Sequence, residues 1–393
     1  MPTLLILVNS PEFFLTHRKE IGLEALNRGF RVVIGTGEGK AVDEIKSLGF
    51  EHYHVRISRL NNSILDEVIA AFDIFRLCRN QRPDILHLVT LKPMLYGGTI
   101  ARLLKLPAVV FAVAGLGNTF VENNLKVKAL RIMILSLFSW IFKHHNFKIV
   151  FQNKDDLALL KTHCRIPDHN VTITHGSGVS LSVFKPPRKI KKSSTPVVLF
   201  AARLLINKGV LDLIEAARIL NQKKVRVKVR ILGPLDNESP RSISCDVLLK
   251  AEFEGLIEYG GKSNDIPGEM NKASVFAYPS YYGEGVPKVL LEAAASGLPI
   301  VTTDHPGCRD AIIDKITGVL VPVKSPGDLA CAIEQLLKDK SRLRSMGKSA
   351  RLLAEKNFSV SYVVAAHTAV YDSLLMSKKK DVQPDIFDGA ARF

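Results

Sequence analysis

The chain has 393 residues, of which 47% are hydrophobic and 23% charged, a balance typical of a globular protein with about two domains. Its five Cys are scattered and form no CxxC pair, which excludes a disulfide-stapled secreted domain and favours a reducing compartment. Residues 1–10 lack the basic start of a signal peptide and are expected to form a strand.

The formal net charge of +16 is distributed unevenly. Residues 101–150 carry seven Lys or Arg and one acid, whereas residues 251–300 carry three bases and seven acids. The first half is therefore expected to face an anionic surface. A nucleic-acid-binding protein is a distant alternative, because the bases lack interleaved aromatic residues and no helix-turn-helix or RNA-binding signature is present.

The first half alternates apolar runs with helical spacing. Strands are predicted at residues 3–9, 30–35, 85–89, 148–152 and 171–174, and helices at 20–27, 41–48 and 64–79. This rhythm predicts a parallel, doubly wound sheet with helices on both faces. The Gly-rich run 35–40 lacks the spacing of a phosphate-binding loop, and we assign it no function.

Two stretches are predicted at the carboxyl edge of this sheet, where ligands bind in open α/β sheets. His17 and Arg18 are expected at the start of the first helix, either as cleft residues or as a structural cap. The run 87–98 follows a later strand and places Lys92 where it can meet a phosphate or lie in a solvated loop.

Residues 125–148 carry bases at both ends and no charge from 132 to 142. This run is too short to span a bilayer, which needs about 20 apolar residues. One interpretation is a core helix of the first domain. The other is a helix in the membrane interface, in which Phe138 and Trp140 insert and the bases meet lipid phosphates; these bases are Lys126, Lys128, Arg131 and Lys143.

Residues 185–195, rich in Pro, Lys and Ser, are typical of a linker. A second series of elements follows, with strands at 197–201, 225–233, 256–259, 273–279 and 298–303 and helices at 210–220, 288–295, 329–337 and 341–356. We predict a first domain at 1–184, a second at 195–358, a helix at 359–376 that crosses back to the first domain, and a disordered tail at 377–393.

The most informative stretch is residues 280–299, a Gly-containing turn followed by a helix between two strands. Glu284 lies in the turn, and Glu292 lies about two helical turns further on. Arg203 and Lys208 share the loop after residues 197–201. Two cations beside helix N-termini predict a diphosphate site, and we expect no metal ligand, since no Asp-x-Asp pair or His/Cys cluster is present.

On these motifs, residues 197–337 resemble the retaining family 4 glycosyltransferases of the two-domain GT-B type. The family pattern of Arg, then Lys-Gly, then two Glu separated by seven residues stands here as Arg203, Lys208-Gly209 and Glu284 with Glu292. The first half resembles the subgroup that builds bacterial surface polysaccharides on polyprenyl-diphosphate lipids. The matching runs are PEFFLTHR (11–18), HLVTLKPMLYGG (87–98), AGLGNTF (114–120) and GSGV (176–179).

The resemblance implies an α/β fold of two doubly wound, Rossmann-like domains facing a central cleft. It implies that Arg203 and Lys208 bind the donor's diphosphate, that Glu292 holds the ribose hydroxyls, and that Glu284 contacts the transferred sugar. Arg203, Lys208 and Glu284 are then the catalytic residues. The remaining implied contacts are the turn formed by Gly285, Val286 and Pro287, the base-binding loop at Gly261 and Lys262, and the acceptor-side candidates His17, Arg18, Lys92, Gly115 and Asn118.

Three positions depart from the family pattern. Phe13, Phe14 and Leu15 stand where many relatives have a Gly-Gly phosphate loop. No His follows the strand at 111–114, so the resemblance assigns no catalytic His there. Ser180 replaces the usual Asp of the linker motif.

The sequence therefore predicts a metal-independent, retaining hexosyltransferase that requires no cofactor. It would move a hexose or N-acetylhexosamine from a UDP-sugar to a polyprenyl-diphosphate-linked saccharide in O-antigen, capsule or glycan assembly. It would act in the cytoplasm, as a peripheral protein on the inner face of a bacterial membrane. The alternative is a GT-B sugar-nucleotide epimerase or phosphorylase, which needs no lipid acceptor.

Overall fold

The computed structural model describes residues 1–57, 63–120, 124–187, 195–236 and 239–382. The chain divides into two compact units. The first unit comprises Met1–Thr174 together with the chain from Val363 onward, and the second comprises His175–Tyr362. The division falls about ten residues before the linker predicted at 185–195, of which residues 188–194 lie outside the described residues.

Within the described residues, the first unit contains a seven-stranded parallel sheet in the order β3-β2-β1-β4-β5-β6-β7. The strands are apolar runs that are buried on both faces in β1, β4 and β5, as parallel sheets covered by helices require. Their bounds are β1 Thr3–Leu7, β2 Arg31–Thr36, β3 Glu51–His54, β4 Ile85–Val89, β5 Val109–Val113, β6 Phe147–Phe151 and β7 Val171–Ile173.

Helices cover both faces of this sheet and enclose two separate apolar cores. Asn124 and Asn153 start two of them by accepting hydrogen bonds from the backbone N–H groups of Val127 and Asp156. The helices are α1 Pro11–His17, α2 Lys19–Asn27, α3 Val42–Ser47, α4 Ile64–Gln81, α5 Leu91–Leu103, α6 Leu125–Ile141, α7 Lys154–His163 and the last helix, α14 Val360–Val382.

The second unit contains, within the described residues, a six-stranded parallel sheet in the order β10-β9-β8-β11-β12-β13. Its strands are β8 Val197–Ala201, β9 Lys228–Leu232, β10 Glu258–Tyr259, β11 Val275–Tyr278, β12 Ile300–Thr303 and β13 Gly318–Val321. Its helices are α8 Val210–Gln222, α9 Cys245–Phe253, α10 Ile266–Lys272, α11 Lys288–Ala295, α12 Pro326–Lys338 and α13 Lys340–Asn357. Two doubly wound parallel sheets confirm the predicted fold class.

The structure corrects two element predictions. The helix predicted at 20–27 is α2, and Arg18 stands at its N-cap as expected. The preceding helix α1 was not predicted; it ends at His17, and Ser10 caps it by accepting a hydrogen bond from the Phe13 N–H. The predicted disordered tail was placed too early, because α14 continues to Val382; residues 383–393 lie outside the described residues. From Val363 onward, buried side chains of α14 belong to the core of the first unit.

In the second unit, α13 fixes the position of α11. A Cβ atom at Gly347 would lie 2.3 Å from the Gly297 carbonyl oxygen, so only glycine allows the two backbones to approach this closely. The Arg351 guanidinium donates hydrogen bonds to the carbonyls of Ala295, at 2.7 Å, and Phe184, at 2.8 Å. Ala295 is the last residue of α11, so Arg351 satisfies a carbonyl that the helix itself leaves unpaired.

We predict that Arg351→Met lowers the thermal unfolding midpoint of the second unit by about 4–8 °C. The physical reason is the loss of charge-assisted hydrogen bonds worth about 2 kcal/mol. Arg344→Met, at an exposed position of the same helix, is the matched control and should change the midpoint little. Calorimetry measures both, and equal midpoints for the two variants would contradict the role given to Arg351.

Candidate functional site

Two loops meet at the carboxyl edge of the second sheet because β8 and β11 are paired neighbours. The loop after β8 ends in a 3-10 turn, Ile206–Lys208, and Gly209 then starts α8 with a φ of 81°. A Cβ atom at Gly209 would lie 2.1 Å from the Pro279 carbonyl oxygen in the loop after β11. The glycine of the predicted Lys-Gly pair is therefore required both by its backbone conformation and by the close approach of the loops.

Lys208 and Glu284 form an ion pair across these loops, with 2.5 Å between Lys208 Nζ and Glu284 Oε1. The Tyr278 hydroxyl donates a second hydrogen bond to the same oxygen at 3.0 Å. Lys208 is only 5% exposed, and its ammonium also lies 4.6 Å from the centre of the Tyr282 ring. A buried cation is thus held at the start of α8, where the helix dipole adds further positive potential.

Arg203 lies on the same loop and is engaged by an acid that sequence reasoning did not identify. Its Nη1 lies 2.7 Å from Asp236 Oδ2. This hydrogen bond occupies one of the five N–H groups of the guanidinium. Arg203 is therefore oriented by Asp236 while its remaining N–H groups can donate to an anion.

Glu292 lies on α11, one helical turn after Lys288. Burial raises the pKa of the Glu292 carboxyl to about 7, and the charge of Lys288 acts in the opposite direction. The raised pKa means that the ionised carboxylate is disfavoured in the unliganded protein. A ligand that donates hydrogen bonds to the carboxylate would therefore stabilise its ionised form.

The turn before α11 is held by close backbone packing. A Cβ atom at Gly307 would lie 2.0 Å from the Gly285 carbonyl oxygen, and Gly307 has a φ of 81°. Val286 is buried, and Pro287 caps α11. The predicted turn thus presents its backbone at a helix N-terminus, as an anion site requires.

Gly261 and Lys262 follow β10 at the same edge of the sheet. The Gly261 carbonyl accepts a hydrogen bond from the Gly233 N–H at 2.8 Å, and Gly261 has a φ of 62°. Within the described residues, no three His, Cys, Asp or Glu side chains are grouped so as to hold a metal ion.

Sequence reasoning missed several residues that position this site. Tyr278, Tyr282 and Asp236 hold the charged side chains, and the Asn207 carbonyl accepts hydrogen bonds from the Ser280 hydroxyl and the Tyr281 N–H. The only signal available was the run of Tyr and Ser directly before Glu284. Nothing in the sequence indicated that Asp236 contacts Arg203, because Asp236 follows β9 and Arg203 follows β8, and the pairing of these strands is set by the fold.

In the first unit, Arg18 does not lie at the surface. It is 2% exposed, and burial lowers the pKa of its guanidinium to about 10. Its electrostatic neighbours are His87, His367 and Tyr371, and His87 Nδ1 lies 2.6 Å from the Tyr371 hydroxyl. Arg18 is the N-cap residue of α2 and part of a buried polar cluster beneath α14, which agrees with the structural alternative given for it rather than with an exposed position.

Of the other acceptor-side candidates, Lys92 follows β4 and Gly115 and Asn118 follow β5, whereas His17 ends α1. Lys92 is in the first turn of α5 and pairs with Glu67 of α4, with 2.5 Å between Lys92 Nζ and Glu67 Oε1. The His17 ring packs on Phe13 at 4.3 Å. Gly115 has a φ of 98°, and Asn118 begins the 3-10 turn Asn118–Phe120 after β5.

Helix α6 combines the two interpretations of its sequence. One face is core: Phe138 is fully buried and stacks on Phe142, so the prediction that Phe138 inserts into a membrane was wrong. Arg131 donates hydrogen bonds to the Thr119 carbonyl, and the Arg102 guanidinium lies over the ring of Trp140. The other face is exposed and carries Lys126, Lys128, Ile132, Met133 and Trp140, with Lys143 exposed just beyond the helix.

None of the helices in the described part of the chain is both long enough and apolar enough to cross a bilayer.

Comparison with known proteins matches both halves of the chain to glycosyl transferase families. Residues 3–153 match the family model described as glycosyl transferase 4-like, and residues 184–353 match the one described as glycosyl transferases group 1. The two models together cover most of both units.

Two curated relatives align over most of the chain. The N,N'-diacetylbacillosaminyl-diphospho-undecaprenol alpha-1,3-N-acetylgalactosaminyltransferase of Campylobacter jejuni is 25% identical over 361 residues, covering 89% of this chain and 93% of that protein. The UDP-Gal:alpha-D-GlcNAc-diphosphoundecaprenol alpha-1,3-galactosyltransferase of Escherichia coli is 25% identical over 331 residues, covering 81% and 82%. Among solved structures, Anabaena HepE in complex with UDP superposes with a TM-score of 0.76 at 16% identity, covering 95% of this chain and 100% of that chain.

We predict that Glu292→Gln stabilises the unliganded protein at pH 8 and has little effect at pH 4.5. The folded-state pKa of about 7 lies above the ordinary value near 4.3, so wild-type stability falls as pH rises between these values. Glutamine never ionises, and its advantage at pH 8 should reach about 1–3 kcal/mol.

Thermal and urea unfolding at both pH values measures this difference. Glu44→Gln, at an exposed position, is the control and should show no such pH-dependent gain. The same stability difference at both pH values would contradict a half-buried Glu292 carboxyl whose pKa is raised in the folded protein.

Proposed function

The chain belongs to the family 4 glycosyltransferases of GT-B architecture, and we propose that it transfers a hexose or N-acetylhexosamine from a UDP-sugar to a polyprenyl-diphosphate-linked saccharide. The observation that carries the proposal is the buried Lys208, paired with Glu284 at the start of α8. The names of both curated relatives specify a diphospho-undecaprenol-linked acceptor, and one specifies a UDP-sugar. Both relatives are named as glycosyltransferases, which does not favour the alternative of a sugar-nucleotide epimerase or a phosphorylase.

In this proposal the second unit binds the donor. Lys208, the oriented Arg203 and the N-termini of α8 and α11 hold the diphosphate of the donor. As the bond between the anomeric carbon and the phosphate oxygen breaks, negative charge grows on the leaving diphosphate, and these fixed positive groups stabilise it without rearranging. An acceptor hydroxyl forms the new glycosidic bond at the anomeric carbon.

The two carboxylates have different proposed roles. Glu284 accepts hydrogen bonds from hydroxyls of the transferred sugar, and its contact with Lys208 places that sugar next to the diphosphate. Glu292 accepts hydrogen bonds from the ribose hydroxyls, a ligand that favours its ionised form. Gly261 and Lys262 contact the base, chiefly through the backbone.

The first unit is proposed to bind the acceptor, with Lys92, His17, Gly115 and Asn118 at its carboxyl edge. The basic exposed face of α6 is proposed to contact anionic lipid at the cytoplasmic face of the membrane. Lys126 and Lys128 are exposed there, and no acid occurs in Leu125–Ile141. Peripheral attachment would bring the enzyme to a lipid-linked acceptor.

We predict that the purified protein transfers sugar from a UDP-sugar to an undecaprenyl-diphosphate-linked saccharide, and that Lys208→Ala and Glu284→Gln lose this activity. Loss of the Lys208 charge that stabilises the leaving diphosphate, or of the Glu284 carboxylate that positions the sugar, should lower kcat/KM by at least about 100-fold. Radiolabelled transfer, with thermal unfolding to confirm that the variants fold, measures the effect.

Lys272→Ala is the matched control, since its side chain is 68% exposed and pairs at the surface with Glu269. Normal turnover in Glu284→Gln would remove that residue from the site. Consumption of the UDP-sugar without any transfer to an acceptor would favour the epimerase alternative.

We predict that Lys126→Glu with Lys128→Glu reduces binding to vesicles containing phosphatidylglycerol by at least about 10-fold. Each base near an anionic surface contributes about 1 kcal/mol, and reversal adds repulsion. Vesicle flotation at moderate salt measures binding. A control pair, Lys40→Glu with Lys46→Glu, carries the same charge change at exposed positions elsewhere in the first unit. An equal loss in both pairs, or no loss in either, would contradict a lipid-facing α6.

A further inference from the structure

We propose that a buried cluster of the first unit is a pH-sensitive latch, which holds α14 in place at neutral pH and releases it in acid. The cluster consists of Arg18, His87, His367 and Tyr371. It joins the N-cap of α2, the middle of β4 and the helix α14. All four residues belong to the first unit, and none has a role in the proposed transfer.

The four side chains are shielded from water, since each is at most 2% exposed. His367 and Tyr371 lie four residues apart, so one face of α14 presents both of them to His87 on β4. The rings of His87 and His367 stack with their centres 5.6 Å apart. The rings of His87 and Tyr371 meet edge to face at 5.8 Å. The docking of this part of α14 therefore brings two imidazoles into direct contact.

The hydrogen bonds of the cluster suit neutral imidazoles. His367 Nδ1 lies 2.9 Å from the Val363 carbonyl oxygen, which can only accept, so Nδ1 carries the ring hydrogen and Nε2 is bare. The Nε2 atoms of His367 and His87 are buried and have no hydrogen-bond partner among the described residues. Protonation of His367 would therefore add a buried N–H donor that no described residue accepts, which is costly.

Charge opposes protonation as well. The Arg18 guanidinium is always positive, and it donates a hydrogen bond to the uncharged His17 carbonyl at 2.9 Å. Burial, with the charges of His367 and Arg18, holds the pKa of His87 well below its ordinary value. Burial, with the charge of Arg18, lowers the pKa of His367 to about 3. A protonated imidazole would place a second cation near the guanidinium, in a site of low dielectric constant.

Among the described residues, no carboxylate contacts the guanidinium or either ring. Strands β1 and β5, which flank β4, contain no titratable residue, and β4 contains only His87. Asp372 of α14 pairs instead with Arg28, in a partly exposed ion pair. The other titratable side chains of the surrounding helices are partly or wholly exposed: Glu12 and His17 of α1, Lys19, Glu20 and Glu24 of α2, and Tyr362 of α14.

Proton binding and the docking of α14 are therefore linked. In the released state both imidazoles face water and recover an ordinary pKa of about 6.5. Below that pH the released state binds more protons than the docked state, so docking weakens as the pH falls and is at full strength above it. Between pH 7.5 and 5.5 the ratio of released to docked α14 should rise about 10-fold for each imidazole, or about 100-fold for both.

Amide hydrogen exchange of the full-length protein at pH 7.5 and 5.5 tests the latch. Protection factors, which correct for the intrinsic pH dependence of exchange, should fall about 100-fold in α14 between the two values. His367→Gln should reduce the fall to about 10-fold, and His87→Gln together with His367→Gln should remove it. The pair His87→Phe with His367→Phe, which keeps the volume of the rings, gives the same readout if glutamine disturbs folding.

His163→Gln is the matched control. His163 Nδ1 lies 3.0 Å from the Leu159 carbonyl oxygen, also four residues earlier in a helix, but His163 is exposed. This variant should leave the fall in protection unchanged.

Three results would overturn the latch. The first is a fall of equal size in the wild type and the double variants, which would place the titration elsewhere. The second is protection that rises in acid, as expected if an anion such as phosphate bound to a protonated cluster. The third is equal protection of α14 and β5 at both pH values, which would show that α14 opens only when the sheet itself unfolds.

Discussion

The ion pair between Lys208 and Glu284 couples the chemistry of the second unit to its packing. Both charges are largely removed from water, so their attraction is strong and the loss of either leaves the other uncompensated, at a cost of about 3–5 kcal/mol. The Tyr278 hydroxyl supplies a further hydrogen bond to the carboxylate. The same contact that neutralises the ammonium therefore joins the loops after β8 and β11, and Gly209 permits the approach that the contact needs.

Glu292 is held in a different way. Its position comes from a rigid helix, whose end is fixed by Arg351 and by the close passage of α13 at Gly347. Its burial is only weakly compensated by Lys288, and the pKa near 7 is the result. Glu284 is thus already paired within the protein, whereas the ionised form of Glu292 would be stabilised by a ligand that donates hydrogen bonds to it.

The first unit carries more apolar surface than its core requires. Helices α4 and α6 each bury one face against the sheet and leave a second set of large apolar side chains exposed. Lysines accompany the exposed set on α6, where no acid occurs, whereas α4 carries three acids and two exposed arginines, Arg76 and Arg79.

The local sequence pattern was sufficient to predict the bounds of several strands and helices. The strands Ile85–Val89 and Val197–Ala201 and the helix Lys288–Ala295 have the predicted bounds, because uninterrupted apolar runs and Gly or Pro boundaries are properties of the local sequence. The alternation of predicted strands and helices likewise indicated the two parallel sheets, and the motifs indicated the family.

Contacts between distant residues were decided only by the tertiary structure. Lys208 and Glu284 are 76 positions apart, and they meet because the strand order places β11 beside β8; the link between Asp236 and Arg203 arises in the same way from β9. Sequence periodicity also cannot choose which side of a helix turns inward when both sides are apolar. Packing of α6 on α5 buried Phe138, and the docking of α14 enclosed Arg18, because burial depends on the neighbouring elements rather than on the residue itself.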